Sequence, residues 1–240
     1  MGTGFPQEIV LKQKTRAKGF RSRRIAGRSR RVTFAPRLII MAKSPLAGVT
    51  KRRLGREIGD VAAIRFYRSC LTHAVLRLAS DPRWRTMLAV VPDKDVAARL
   101  WLLPHKIGLL PQGYGDLGQR MQRLFKRLPP GPVIIVGSDI PGIRPAHVAE
   151  AFRLLGREDA VFGPAPDGGY WLIGLRRCPS VLTPFARVRW SSVDALADTL
   201  ANLKGKHIAF AATLSDVDTS EAYQNDRGGA ERLILHRQAP

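Results

Sequence analysis

Short apolar runs rich in β-branched residues alternate along this chain with segments of helical spacing, and that alternation limits the fold more than any other feature. Runs at 38–41, 86–91, 107–110, 132–136, 160–162, 170–175 and 207–211 are short and apolar enough to be buried strands. Between them, 58–79, 93–102, 117–128, 145–155 and 192–203 carry helical spacing, and a last helix is expected from about 220. Asp116 stands where it can cap the helix that begins at Leu117. Strands that alternate with helices form βαβ units. The expected fold is therefore α/β, a three-layer α/β/α arrangement around a mixed, mostly parallel sheet. In such folds ligands sit beyond the carboxyl ends of the strands, near the point where the strand order reverses, so the informative residues should follow strands directly.

Length and charge narrow the classes further. With 240 residues, 45% of them hydrophobic, the chain can bury one substantial core. The formal net charge is +21. About 11 Lys and Arg and no acid fall between Lys12 and Arg37, so residues 1–35 read as a basic, disordered tail and residues 36–240 as the domain. The domain keeps roughly +10 without that block, a field that attracts phosphorylated ligands, nucleic acid or anionic lipid. No apolar run is long enough to span a bilayer, and the N-terminus lacks the apolar core of a secretory signal, so a cytoplasmic protein is expected. Cys70 and Cys178 lie in apolar surroundings and are expected as two buried thiols. The five histidines have no zinc-ligand spacing, and no serine sits in a nucleophile elbow, which argues against zinc and serine-hydrolase chemistry.

Five segments that border strands or helices carry possible chemistry. The loop from Lys43 to Leu54 joins the first strand to a helix, and Lys43, Lys51, Arg52 and Arg53 could neutralise phosphates there, although the segment also reads as a basic turn. Its glycines have neither P-loop nor Rossmann spacing. Gly137-Ser138-Asp139-Ile140-Pro141 follows the strongest strand, and Asp139 is placed to hold a hard cation such as Mg²⁺ or to shape the turn. In the segment 163–171, Gly168 and Gly169 could make room for substrate. Asp167 could accept from sugar hydroxyls and Tyr170 could stack on a ring; a tight Asp-Gly hairpin turn is the alternative. Asp216 and Asp218 stand on alternate positions and could complete a metal site, or Asp218 could cap the last helix with Glu221. The glycine-rich stretch 112–121 reads first as helix capping and packing.

Taken together, these segments resemble the bacterial nucleotide-diphospho-sugar transferase-like proteins. These are related in fold to molybdenum-cofactor guanylyltransferase and phospholactate guanylyltransferase. The resemblance rests on Lys51–Leu54, Gly115–Met121, Gly137–Pro141, Gly163–Leu175, Trp190 and Asp216–Thr219, in that order, and covers about residues 37–224. Arg52 departs from the Thr usual in that pattern, and Gly142 from the acid common after the proline. The resemblance implies a GT-A-like fold with the nucleotide over its first half, and Asp139 in the role of the metal-binding carboxylate of an Asp-x-Asp element. On this basis the expected enzyme is a Mg²⁺- or Mn²⁺-dependent transferase. Lys43, Lys51 and Arg53 would hold phosphates, Asp139 and Asp167 would be catalytic, and Gly168, Gly169 and Tyr170 would bind substrate. Asp139 and Asp218 would hold the metal. The expected reaction is glycosyl transfer from a nucleotide sugar to a small-molecule acceptor. Nucleotidyl transfer from a nucleoside triphosphate is the alternative on the same fold. Nucleic-acid or anionic-surface binding through the basic tail is the alternative of another class.

Overall fold

The chain divides into two units, Met1–Thr33 and Phe34–Pro240. A computed structural model describes residues 34–45, 50–96, 107–178 and 180–216, all in the second. Among these residues, seven strands form one sheet: β1 (Arg37–Lys43), β2 (Arg85–Val91), β3 (Gly108–Pro111), β4 (Val133–Gly137), β5 (Ala160–Pro164), β6 (Tyr170–Leu175) and β7 (Ile208–Phe210). Among the described residues, five helices accompany them: α1 (Arg52–Ile58), α2 (Asp60–Ala79), α3 (Leu117–Arg127), α4 (Pro145–Leu155) and α5 (Ala195–Ala201). The strand order is β3-β2-β1-β4-β6-β5-β7, and only β6 runs against its neighbours.

The central strands are apolar on both faces because both faces are covered. Leu38 and Ile40 of β1 point with Leu88 of β2 and Ile134 of β4 into a cluster closed by α2 and α4. Ile39, Met87 and Ile135, one residue out of phase, point into a second cluster closed by α3 and by Phe185 and Leu203. The strands therefore read as unbroken hydrophobic runs rather than alternating ones. This is the expected mixed, mostly parallel three-layer sandwich.

Several sequence expectations shift. The helical spacing from 58 continues as α2, but α1 precedes it, separated by Gly59 at φ 87. Arg52, Arg53, Arg56 and Gly55 hid α1, since they leave no apolar stripe. Residues 93–96 form one 3-10 turn, and the rest of the helix expected over 93–102 lies outside the described residues, as do the helix expected from 220 and the basic tail up to residue 33. Cys70 is buried as expected, but Cys178 is exposed, because it follows the end of β6.

Candidate active site

The sheet reverses its order between β1 and β4: the chain builds outward through β2 and β3, then returns to place β4 on the other side of β1. At such a reversal the segments that follow the two neighbouring strands run to opposite sides of the sheet and leave a crevice at their carboxyl ends. A cleft of about 450 Å³ fills it, bounded by Lys43 at the end of β1, Thr50 and Lys51 with the first residues of α1, Gln112 after β3 and Ser138 and Asp139 after β4.

Its floor is tied together by buried polar groups. The Tyr67 phenol, from α2, accepts from the Lys43 backbone N–H (2.9 Å) and donates to the Lys43 carbonyl (3.0 Å). It also shares a 3.0 Å hydrogen bond with Ser138 Oγ, so one ring fixes the ends of β1 and β4 to each other. Burial is the main cause that pushes this phenol up to about 12, partly offset by the Ser138 bond. Gln112 Nε2 donates to the carbonyls of Ala42 (2.9 Å) and Ala89 (2.8 Å), stapling the ends of β1 and β2. Thr50 Oγ1 donates to the Ser44 carbonyl (2.7 Å) and closes the base of the first loop.

Lys51 adopts a left-handed conformation, φ 58, at the start of α1. This conformation is unfavourable for a residue with a Cβ. The turn brings its ammonium 2.6 Å from Asp139 Oδ2; the Lys51 side chain is 5% exposed and that of Asp139 28%. The two residues that the sequence assigned to phosphate and to metal therefore meet each other. Lys43 and Arg53 are exposed and line the same cleft, as does Arg52. Arg120 joins them from α3: its Nε is anchored on the Gly115 carbonyl (2.8 Å). The sequence of 112–121 favours capping and packing over close contact with a ligand at the helix start. The capping box of Asp116 with Gln119 is present, and Gln112 and Arg120 line the cleft as well. Their signal was the short reach from the end of β3 to the first turn of α3.

A second cleft, about 610 Å³, opens on the other side of Asp139. Arg53, Leu117, Gly137 and Asp139 border both clefts, so the two are lobes of one site. Asp167, Gly169 and Tyr170 line the second lobe, and Trp190, Ser191 and Asp216 complete its wall. The turn between β5 and β6 is the tight hairpin that sequence offered as an alternative: Ala165 N–H donates to the Gly169 carbonyl (3.0 Å), and Gly169 N–H donates to Asp167 Oδ1 (2.9 Å). The hairpin nonetheless presents Asp167 to the lobe. Gly168 does not make room for substrate. At φ 84 its Cα abuts the Val193 carbonyl, and an added Cβ would lie 2.1 Å from that oxygen. Tyr170 is packed against Phe162 (5.3 Å between centroids) and Trp190 (6.4 Å), and burial raises its phenol pKa. Asp218 lies outside the described residues, whereas Asp216, two positions earlier, borders the lobe. Among the described residues no three His, Cys, Asp or Glu side chains cluster as a ready-made metal cage.

This geometry is that of the nucleotide-diphospho-sugar transferase fold. A crystal structure from Desulfovibrio desulfuricans G20, provisionally described as a nucleotide-diphospho-sugar transferase, shares 29% identity with this chain. It has a TM-score of 0.71, over 77% of this chain and 82% of that one. On this likeness the protein is an enzyme of the transferase class. Residues 74–192 match the family model described as "Uncharacterized protein conserved in bacteria (DUF2064)". Two more distant structures share the fold. The 4-diphosphocytidyl-2C-methyl-D-erythritol synthase of Anaerococcus prevotii is 10% identical with a TM-score of 0.54, over 82% and 98% of the two chains. A CMP:2-keto-3-deoxy-manno-octonic acid synthetase, solved with CTP, is 12% identical with a TM-score of 0.53, over 83% and 99%. No curated protein matches the chain. No described helix is long and apolar enough to cross a membrane.

Proposed function

We propose that the protein transfers a glycosyl group from a nucleotide-diphospho-sugar to a small acceptor, with a divalent cation, Mg²⁺ or Mn²⁺, at Asp139. The observation that carries this reading is the meeting of the two lobes at Asp139. One lobe is lined by Lys43, Lys51, Arg52, Arg53 and Arg120, the other by Asp167 with half-buried aromatic rings. A nucleoside diphosphate fits the first by charge, and the second, which begins at Asp139, takes the transferred sugar beside the acceptor, held by hydrogen bonding and stacking.

The donor set suits Mg²⁺ or Mn²⁺ held in part by the substrate. Asp139, with Asp216 on the wall of the same lobe, supplies one or two carboxylates, and phosphate oxygens and water complete such sites. When bound, the cation would offset negative charge on the diphosphate leaving group. Lys43 and Arg53 would bind phosphate oxygens, and Arg120 would present its two terminal nitrogens to the same group. Lys51 would pass from Asp139 to phosphate as the cation arrives. In the transfer the bond from the anomeric carbon to the phosphate oxygen breaks, and the nucleoside diphosphate leaves with the electron pair. The acceptor oxygen forms the new bond, and its proton passes to the Asp167 carboxylate.

Calorimetry and thermal shift with nucleoside diphosphates, triphosphates and nucleotide sugars, each with and without Mg²⁺ or Mn²⁺, test the reading. Metal-dependent binding of a nucleotide sugar is expected. Asp139→Asn should remove the metal dependence and weaken binding on the order of tenfold or more, since one charge-assisted ligand is worth about 1.5–3 kcal/mol. Unchanged metal-dependent affinity in that variant would refute the role of Asp139. Release of pyrophosphate from a triphosphate would convert the reading to nucleotidyl transfer.

A further inference from the structure

The two lobes differ sharply in charge, and the difference speaks to the acceptor. Besides Lys51, which is paired with Asp139, the first lobe is lined by Lys43, Arg52, Arg53 and Arg120. Among the described residues that line the second lobe, Arg53 on the shared border is the one cation, while Asp139, Asp167 and Asp216 all face it. Arg189 is close in sequence to this wall, but its guanidinium is held by Asp194 (2.7 Å) and Asp198 (2.8 Å). The remaining polar lining is hydroxylic, from Ser191 and Ser192, and the apolar lining includes the half-buried rings of Tyr170 and Trp190. The backbone beneath is fixed: the Trp171 indole donates to the Ala212 carbonyl (2.9 Å), and Leu196 N–H donates to the Gly168 carbonyl (3.1 Å).

We infer that the acceptor is a neutral or cationic polyhydroxylated compound, such as a sugar or an amino sugar, and not a phosphorylated or carboxylated one. The inference rests on the transferase reading above and adds the acceptor's chemical class. Carboxylates accept hydrogen bonds from hydroxyl and ammonium groups and repel a second anion. The aromatic edges and faces match the C–H face of a pyranose. With Arg53 engaged by the donor diphosphate, a phosphate in this lobe would meet Asp167 without a cationic side chain of its own among the described lining residues, while the first lobe, with its surplus of cations, draws phosphates to itself.

The test uses a matched series on one ring: glucose, glucosamine and glucose 6-phosphate. Each is titrated into the full chain already saturated with a nucleoside diphosphate and Mn²⁺, so that the first lobe is filled. Binding is followed by tryptophan fluorescence and located by crystal soaks. Glucose or glucosamine should bind the second lobe at least about tenfold more tightly than glucose 6-phosphate, the effect of one like charge at this range. Asp167→Asn keeps the Oδ1 that accepts from Gly169, so the hairpin is retained, and it should narrow that ratio severalfold. Equal or tighter binding of the phosphorylated sugar in the second lobe would overturn the inference, as would an unchanged ratio in Asp167→Asn or no second-lobe binding by either uncharged or cationic ring. The transferase reading fails separately, if no nucleoside diphosphate saturates the first lobe.

Discussion

Tyr67 shows how a residue outside any motif can set the geometry of a site. Its phenol bonds both backbone groups of Lys43 and the Ser138 hydroxyl, and it is 2% exposed. Tyr67→Phe leaves the Lys43 N–H and Ser138 Oγ without this partner and should cost about 1–3 kcal/mol, read as a lower urea midpoint at neutral pH. Burial also makes the phenol a pH reporter. Its pKa rises from the ordinary 10.0 to about 12, so between those values the native state keeps a proton that the unfolded chain has lost. Its contribution is complete below pH 10 and disappears as pH rises towards 12, at most about 2–3 kcal/mol. The Phe variant should lose less stability than the parent over that interval; some loss persists because burial raises the Tyr170 phenol too. Lys51 carries a second residue-scale prediction. Its ammonium and a divalent cation compete for Asp139 Oδ2. Lys51→Met should therefore bind Mn²⁺ alone more tightly, and a nucleoside diphosphate more weakly, each on the order of tenfold by calorimetry.

Among the elements, α3 joins the two lobes. Leu117 borders both, Arg120 reaches into the first, and the helix packs at Gly118 against the aromatic wall of the second. A Cβ at Gly118 would stand 2.5 Å from Trp190 Cζ2 and 2.7 Å from Phe185 Cβ. Gly118→Ala should overpack this contact by about 1–3 kcal/mol. In a chain of this size the melting temperature would fall by roughly 2–4 °C per kcal/mol, and second-lobe binding should weaken more than nucleotide binding. The elements were legible in proportion to their apolar patterning. β4, β6 and α4 fall within a residue of their sequence boundaries, because buried strands and an amphipathic helix declare themselves by period. α1 did not, and the direction of β6 could not be read either, since a strand's apolar run is the same in both senses. At the site, sequence located Asp139 and Asp167 by their position after strands. It could not foresee that Lys51 pairs with Asp139, that Gly168 faces Val193, or that Arg120 and Trp190 line the lobes, because those depend on contacts between segments distant in the chain.

At the scale of the whole molecule, the net charge of +21 has two sources that make different predictions. One is the set of cations that converge on the first lobe; the other is the run of Lys and Arg before Arg37. If the lobe is the nucleotide site, a chain beginning at Thr33 should bind nucleoside diphosphates as the full chain does. At a hundred times Kd, such binding should stabilise both by about 2.7 kcal/mol, a rise of roughly 5–10 °C in melting temperature. Polyanion binding should separate the two chains. Each phosphate neutralised steepens the fall of log K against log salt by about 0.9 for duplex DNA. The full chain should therefore bind nonspecific duplex with a slope of several, and the shortened chain with a much shallower one. Equal duplex binding by the two would place the polyanion surface on the domain itself. Loss of nucleotide binding on shortening would mean that the basic run completes the site, and the charge of the first lobe would then not suffice to hold a diphosphate.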